Sequence, residues 1–229
     1  MATKNTTIRA KARKKLLIVD DHPMMRAGLA QFLNHQPGFT VCGEADTAHQ
    51  ALAAIAALHP DLVVADITLP DKNGIELIKD ICAMHPGLPV MVHSMHDEML
   101  YAERVLRAGG RGYLMKHEGG IKLAHAIRQV LEGGIYVSDK MSAKILAVFS
   151  GHRAETEGSP VEKLSDREFE VFQLIGEGLS TRDMARRLHL SAKTVEVHRV
   201  NMKRKLNLGT ARELAHYAVR WAESQTKAY

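Results

Sequence analysis

The chain has 229 residues, 45% of them hydrophobic and 25% charged, and a net charge of +5. That is the composition of an ordinary soluble globular protein, long enough for one large or two modest domains. No apolar stretch approaches the roughly 20 residues of a membrane span, and residues 1–15 lack the apolar core of a signal peptide, which excludes a spanning protein and points to the cytoplasm.

The charge is unevenly placed. Residues 1–15 carry six basic groups and no acid, residues 16–150 carry 11 basic and 15 acidic groups, and residues 151–229 carry 14 basic and 11 acidic groups. Within 180–212 the count is nine basic against two acidic. An acidic module followed by a locally basic one implies different partners for the two halves.

After a basic arm over 1–14, expected to be either a disordered tail or an extra nucleic-acid contact, strand-like apolar runs alternate with helix-period segments. Strands are expected at 15–20, 39–44, 61–66, 88–93 and 111–115, with helices near 23–35, 47–58, 74–85, 97–108 and 120–132. Single helices between strands give an α/β doubly wound parallel sheet, and five such units favour the flavodoxin-like order 2-1-3-4-5. Cys42 and Cys82 lie in apolar segments and read as buried thiols rather than as a disulfide. Gly133-Gly134 ends the last of these helices. Residues 134–160 read as a linker with a short helix at 141–149 and a polar, Gly-containing stretch from Ser150 to Pro160. Four further helices are expected near 166–177, 181–188, 192–207 and 210–223, giving an all-α domain over 161–229. Ser165, Ser180 and Ser191 are N-cap candidates, and Gly176 and Gly178 separate the first two helices.

Five polar residues close the apolar runs of the first half: Asp20, Asp21, Asp66, Ser94 and Lys116. Ligands bind outside the carboxyl ends of the strands in an open parallel sheet, so these groups should converge on one rim. Three carboxylates, a hydroxyl and an ammonium suit a divalent cation together with a phosphoryl group. Mg²⁺ relieves the repulsion between a carboxylate cluster and an anionic phosphoryl donor and takes octahedral oxygen coordination. Asp20, Asp21, Asp66 and the main-chain carbonyl of Thr68 would supply oxygens. Asp66 would be the nucleophile, Lys116 would pair with the new charge, and Ser94 would donate to a phosphoryl oxygen.

Residues 181–207 read as helix, turn, helix. Met184, Ala185 and Leu188 face inward from the first helix; Val195, His198, Met202 and Leu206 do so from the second. The opposite stripe carries Lys193, Thr194, Glu196, Val197, Val200, Asn201 and Arg204, a surface suited to the major groove. Arg182, Arg186, Arg187, Lys193, Arg199, Lys203 and Arg204 could reach phosphates.

The segment Asp66-Ile67-Thr68-Leu69-Pro70-Asp71-Lys72-Asn73-Gly74 fits D-x-x-x-P-x-x-x-G. With Asp20-Asp21, Ser94 and Gly112-Tyr113-Leu114-Met115-Lys116, it resembles the receiver domain of two-component response regulators over about residues 15–132. Leu164-Ser165-Asp166-Arg167-Glu168, Gly178-Leu179-Ser180 and Ser191-Ala192-Lys193-Thr194-Val195-Glu196-Val197-His198 resemble the LuxR-type helix-turn-helix. The whole chain is therefore similar to a NarL/FixJ-class regulator, with a receiver over 15–133. The resemblance implies phosphorylation of Asp66 by a sensor histidine kinase and a switch made of Ser94 and Tyr113. It also implies base-facing positions at Lys193, Glu196, Val197 and Val200; Glu196, acidic where the family often has a basic residue, could then accept from cytosine N4 or discriminate against other bases, and the valines could meet thymine methyls. A homodimer, paired through an outer face of the last helix that includes Ala211, Arg212 and Ala215, would bind double-stranded promoter DNA at inverted or tandem half-sites. RNA polymerase is the further partner implied. His117 follows the lysine where many receivers have Pro or Asp.

The expected function is thus transcription regulation controlled by phosphorylation, without enzymatic turnover. A phosphohydrolase with an aspartyl intermediate is the rival, but such enzymes usually place a second acid two residues after the nucleophile, where this chain has Thr68. A regulator with a vestigial pocket is the third reading.

Overall fold

The computed structural model describes residues 12–149, 160–188 and 190–226. Nearly all of the basic arm and most of the polar part of the linker lie outside the described residues. The chain divides into two compact units, one formed by residues up to His96 with Val105–Val137, the other by Asp97–Arg104 with the chain from Ser138.

The first unit holds a five-stranded parallel sheet of β1 (Lys14–Val19), β2 (Phe39–Ala45), β3 (Leu62–Ala65), β4 (Val90–Ser94) and β5 (Gly112–Met115), in the order β2-β1-β3-β4-β5. This is the order expected from the alternation of runs. The helices between them are α1 (Pro23–His35), α2 (Ala48–Leu58), α3 (Gly74–Met84) and α4 (Glu98–Arg107), with α5 (Gly120–Leu131) after β5. The strands are continuous apolar runs because both faces are covered. Leu16, Ile18, Leu62, Val64, Met91 and Leu114 pack with Leu29 and Leu33 of α1 and Leu123 and Ile127 of α5, while alternate residues such as Leu17, Val63 and Val92 are equally buried. Burying a side chain of this size contributes about 1.5–3 kcal/mol.

The start of the segment read as a linker is tied to the sheet. Tyr136 N donates to Arg111 O at 3.0 Å and its carbonyl accepts from Tyr113 N at 2.8 Å, extending the sheet edge at β5. Cys42 and Cys82 are free thiols, as expected, but half-buried rather than enclosed.

In the second unit, α6 (Asp139–Phe149) precedes α7 (Asp166–Gly176), α8 (Thr181–Arg187), α9 (Ala192–Lys205) and α10 (Ala211–Thr226). All three expected serine caps form, with Ser165 in a capping box with Glu168 and Ser180 and Ser191 accepting from Asp183 N and Thr194 N. Phe172 packs edge-on against Trp221 with ring centroids 5.4 Å apart, joining α7 to α10. Gly176 permits that approach, since a Cβ there would lie 2.8 Å from Ala218 O. Residues 97–104 belong with these helices: Tyr101 meets Phe169 edge-on at 5.2 Å and Arg104 pairs with Asp166 at 3.0 Å. Among the described residues no helix is long and apolar enough to cross a membrane.

Candidate functional site

Parallel pairing places the ends of β1, β3, β4 and β5 side by side, and the expected polar set meets there. Asp66 N donates to Val19 O at 2.8 Å, which fixes the acceptor just past β3 beside the end of β1. Its Oδ1 accepts from Ile67 N at 2.6 Å and from Ser94 Oγ at 2.7 Å, and its Oδ2 from Lys116 Nζ at 2.7 Å. Lys116 Nζ also lies 2.7 Å from Asp20 Oδ2, so one ammonium is shared by two carboxylates. All three side chains are at least 95% buried. Burial alone would lower the Lys116 pKa, but its hydrogen bonds to Asp20 and Asp66 outweigh that and the net shift is upward.

Asp20, Asp21, His22 and Asp66 each offer a ligand atom within 4.8 Å of the others. His22 was not anticipated from the sequence; its Nδ1 lies 2.6 Å from Asp21 Oδ1. That contact lacks hydrogen-bond geometry, so among the described residues the enclosed Asp21 Oδ1 accepts no hydrogen bond. A carboxylate oxygen that accepts no hydrogen bond inside an oxygen-rich cluster fits a hard divalent cation.

The loop that carries Asp66 is shaped by its own sequence. Gly74 begins α3 so close to the loop that a Cβ would fall 2.2 Å from Asp66 O. Asn73 Oδ1 caps α3 through Ile75 N at 2.7 Å, and Asp71 caps α2 through Ala48 N and His49 N, both at 2.9 Å. On the other flank Thr68 Oγ1 bonds His96 Nε2 at 2.9 Å. The His96 carbonyl accepts from the Tyr113 hydroxyl at 2.8 Å, and the Tyr113 side chain is wholly buried. Ser94 and Tyr113 thus stand inward, Ser94 on the acceptor and Tyr113 beneath the β4–α4 turn. His96 is a second participant that sequence reasoning missed. A lone histidine carries no pattern, and only the neighbouring strand ends bring it to Thr68.

His93, one residue before Ser94, is buried with no hydrogen bond to Nδ1 among the described residues. Desolvation, then the Lys116 charge, lowers its pKa to about 4 against the opposing pull of Asp66 and Asp20, so the ring is neutral at pH 7.

The second candidate surface is α9. Val195 and Met202 are buried while Lys193, Glu196, Val197, Val200 and Arg204 are exposed, so the helix presents the stripe expected of it. Thr194, Asn201 and Lys203 are half-exposed at its edges, and Arg182 is exposed on α8. Arg199 departs from expectation: its side chain is only 20% exposed and Nη1 donates to Thr181 Oγ1 at 2.9 Å. At the end of α9, Lys205 Nζ pairs with the buried Glu168 at 2.6 Å.

A family model described as the response regulator receiver domain matches residues 16–128, and one described as bacterial regulatory proteins, luxR family, matches residues 162–218. Over 210 residues the chain is 31% identical to the oxygen regulatory protein NreC of Staphylococcus carnosus, spanning 90% of this chain and 97% of that protein. Over 208 residues it is 33% identical to the transcriptional regulatory protein LiaR of Bacillus subtilis, again spanning 90% and 97%. Among solved structures it resembles RcsB from Salmonella enterica serovar Typhimurium, bound there to promoter P1flhDC in the presence of phosphomimetic BeF3−. That likeness has a TM-score of 0.68 and 23% identity, covers 90% of this chain and 98% of that one, and is one of fold.

Proposed function

Because the chain belongs to the NarL/FixJ-type response regulators, transcription factors rather than enzymes that join a receiver domain to a LuxR-type DNA-binding domain, we propose that Asp66 is its phosphoacceptor. We take residues 15–133 as the receiver, 134–160 as the linker and 161–229 as the DNA-binding domain. The observation that carries this reading is the Asp66 carboxylate held between Ser94 Oγ and Lys116 Nζ at 2.7 Å each, beside two further carboxylates.

An Asp66 oxygen attacks the phosphorus of a kinase phosphohistidine; the P–N bond breaks and its electron pair returns to the imidazole. Lys116 balances the charge that arrives, and Ser94 donates to a phosphoryl oxygen. Asp20, Asp21, Asp66 and the Thr68 carbonyl would hold Mg²⁺, which would offset the repulsion between the donor and the pocket. The phosphoryl group adds about −1.5 to −2 charge, enough to bias a two-state element of a few kcal/mol. Ser94 and Tyr113 sense it, and two copies of the chain then engage adjacent half-sites of promoter DNA with α9. Lys193, Thr194, Glu196, Val197, Val200 and Asn201 face the bases, and Arg182, Lys203 and Arg204 the phosphates. The sensor kinase and RNA polymerase are the protein partners, and the cytoplasm is the compartment in which all of them meet.

Incubating the full chain with radiolabelled acetyl phosphate and Mg²⁺ tests the assignment. Label enters the wild type and is absent from Asp66→Asn; undiminished incorporation in that variant removes Asp66 from the role.

A further inference from the structure

Glu196 is an acid on a helix otherwise furnished for a polyanion, and the structure does not leave it loose. Thr181, the first residue of α8, donates its hydroxyl proton to Glu196 Oε1 at 2.9 Å. The same hydroxyl oxygen accepts from Arg199 Nη1 at 2.9 Å, and Arg199 Nη1 lies 3.5 Å from Glu196 Oε1. A hydroxyl has one proton to give and lone pairs to receive with, so guanidinium to hydroxyl to carboxylate forms a chain of fixed direction. Both contacts fall on Oε1, and Oε2 engages no other described residue.

Exposure separates the two charged members. The Glu196 side chain is 56% exposed and Arg199 only 20%, with Arg199 Nε enclosed and lacking a hydrogen-bond partner among the described residues. A guanidinium turned inward in this way braces its own helix instead of reaching for a backbone phosphate. Val197 and Val200, 51% and 59% exposed, stand on the same helix and leave an apolar surface around the carboxylate.

We propose that Glu196 is a specificity-determining residue that accepts a hydrogen bond from the N4 amino group of cytosine in the major groove, and that Thr181 and Arg199 are its positioning residues. The inference rests on the proposed engagement of DNA by α9. An ionised carboxylate only accepts. Adenine offers its N6 donor beside the N7 acceptor, which repels a second acceptor, whereas the cytosine edge offers the N4 donor without an acceptor of its own. An anion near phosphates is tolerable only where it meets such a donor, and a braced carboxylate loses less side-chain freedom in doing so.

The test is selection of bound fragments from a randomised double-stranded DNA library, using the full chain with acetyl phosphate and Mg²⁺, followed by salt titration on the enriched sequence. The wild type selects cytosine at one position in each half-site. Glu196→Gln loses that preference about tenfold, as expected for one base contact. Arg199→Lys and Thr181→Val blur the same position severalfold, with the slope of affinity against salt unchanged. Arg199→Lys keeps the charge and serves as the control for a general loss of affinity. Identical preferences in wild type and Glu196→Gln overturn the assignment of Glu196. An Arg199→Gln variant that binds all sequences more weakly, with a salt slope smaller by about one, makes Arg199 a phosphate contact and overturns the positioning role. A wild type that enriches no sequence overturns the DNA-binding reading itself, and this inference with it.

Discussion

The Ser94 hydroxyl donates to Asp66 Oδ1 at 2.7 Å with both residues buried, so the acceptor's partner is in place beside it. Removing the hydroxyl with Ser94→Ala leaves Asp66 bonded to Lys116 and able to react. Phosphorylation by acetyl phosphate is expected to slow about 10- to 100-fold, the worth of one hydrogen bond to a charged group. Label uptake over time measures this; an unchanged rate places Ser94 outside the reaction.

Gly74→Ala puts a methyl group 2.2 Å from Asp66 O and 2.7 Å from Ile67 Cα, both backbone atoms that cannot swing aside. The loop must move, at a cost of about 1–3 kcal/mol, and carries the acceptor with it. A folded variant with a lowered melting temperature and markedly reduced label uptake is expected. Wild-type uptake would show that the loop tolerates the side chain.

His93 favours folding only while neutral. With its pKa lowered from 6.5 to about 4, chiefly by burial, the unfolded chain takes up the proton first as pH falls. The contribution is complete above pH 6.5 and is lost between there and about 4, amounting to about 3 kcal/mol. His93→Leu should therefore raise the melting temperature far more at pH 5 than at pH 8. Equal gains at the two values would dismiss the histidine as the source of acid sensitivity.

Glu168 loses its contribution in the same direction of pH as His93, through the protonation of a paired carboxylate. Burial raises its pKa, but the hydrogen bonds from Lys205 and from Ser165 N prevail and the net shift is downward. Its stabilisation is present above its ordinary value of 4.5 and disappears as pH falls through the lower folded value. Lys205→Met leaves the buried carboxylate short of its cation and should cost about 1.5–3 kcal/mol. Trp221 fluorescence during urea unfolding follows this unit, and an unaltered midpoint would mean the ion pair contributes nothing.

The alternation of strands and helices was legible because a sheet covered on both faces demands uninterrupted apolar runs, and those runs end where the polar residues stand. The places of Asp20, Asp21, Asp66, Ser94 and Lys116 followed from that arithmetic, whereas those of His22 and His96 did not. Nor did the partners of main-chain groups. Tyr136 adds itself to β5 through its amide and carbonyl, which any residue possesses, so the segment read as linker. Residues 97–104 show an amphipathic helix but not which unit it covers. Arg199 shows the limit most clearly: its charge is visible in sequence, whereas the inward bend of its guanidinium depends on Thr181, 18 residues earlier.

The loop bearing Asp66 is fastened unequally. Toward α2, Asp71 grips two amides in the first turn, a double clasp on a helix end. Toward β4, Ser94 Oγ donates to Asp66 Oδ1 and Thr68 Oγ1 bonds His96 Nε2, both side chain to side chain. The two flanks therefore differ in kind: main-chain amides on the α2 side, side-chain groups on the β4 side. The β4 side leads to the turn whose carbonyl receives the Tyr113 hydroxyl, so the proposed phosphorylation of Asp66 would act first on side-chain bonds that adjoin Tyr113.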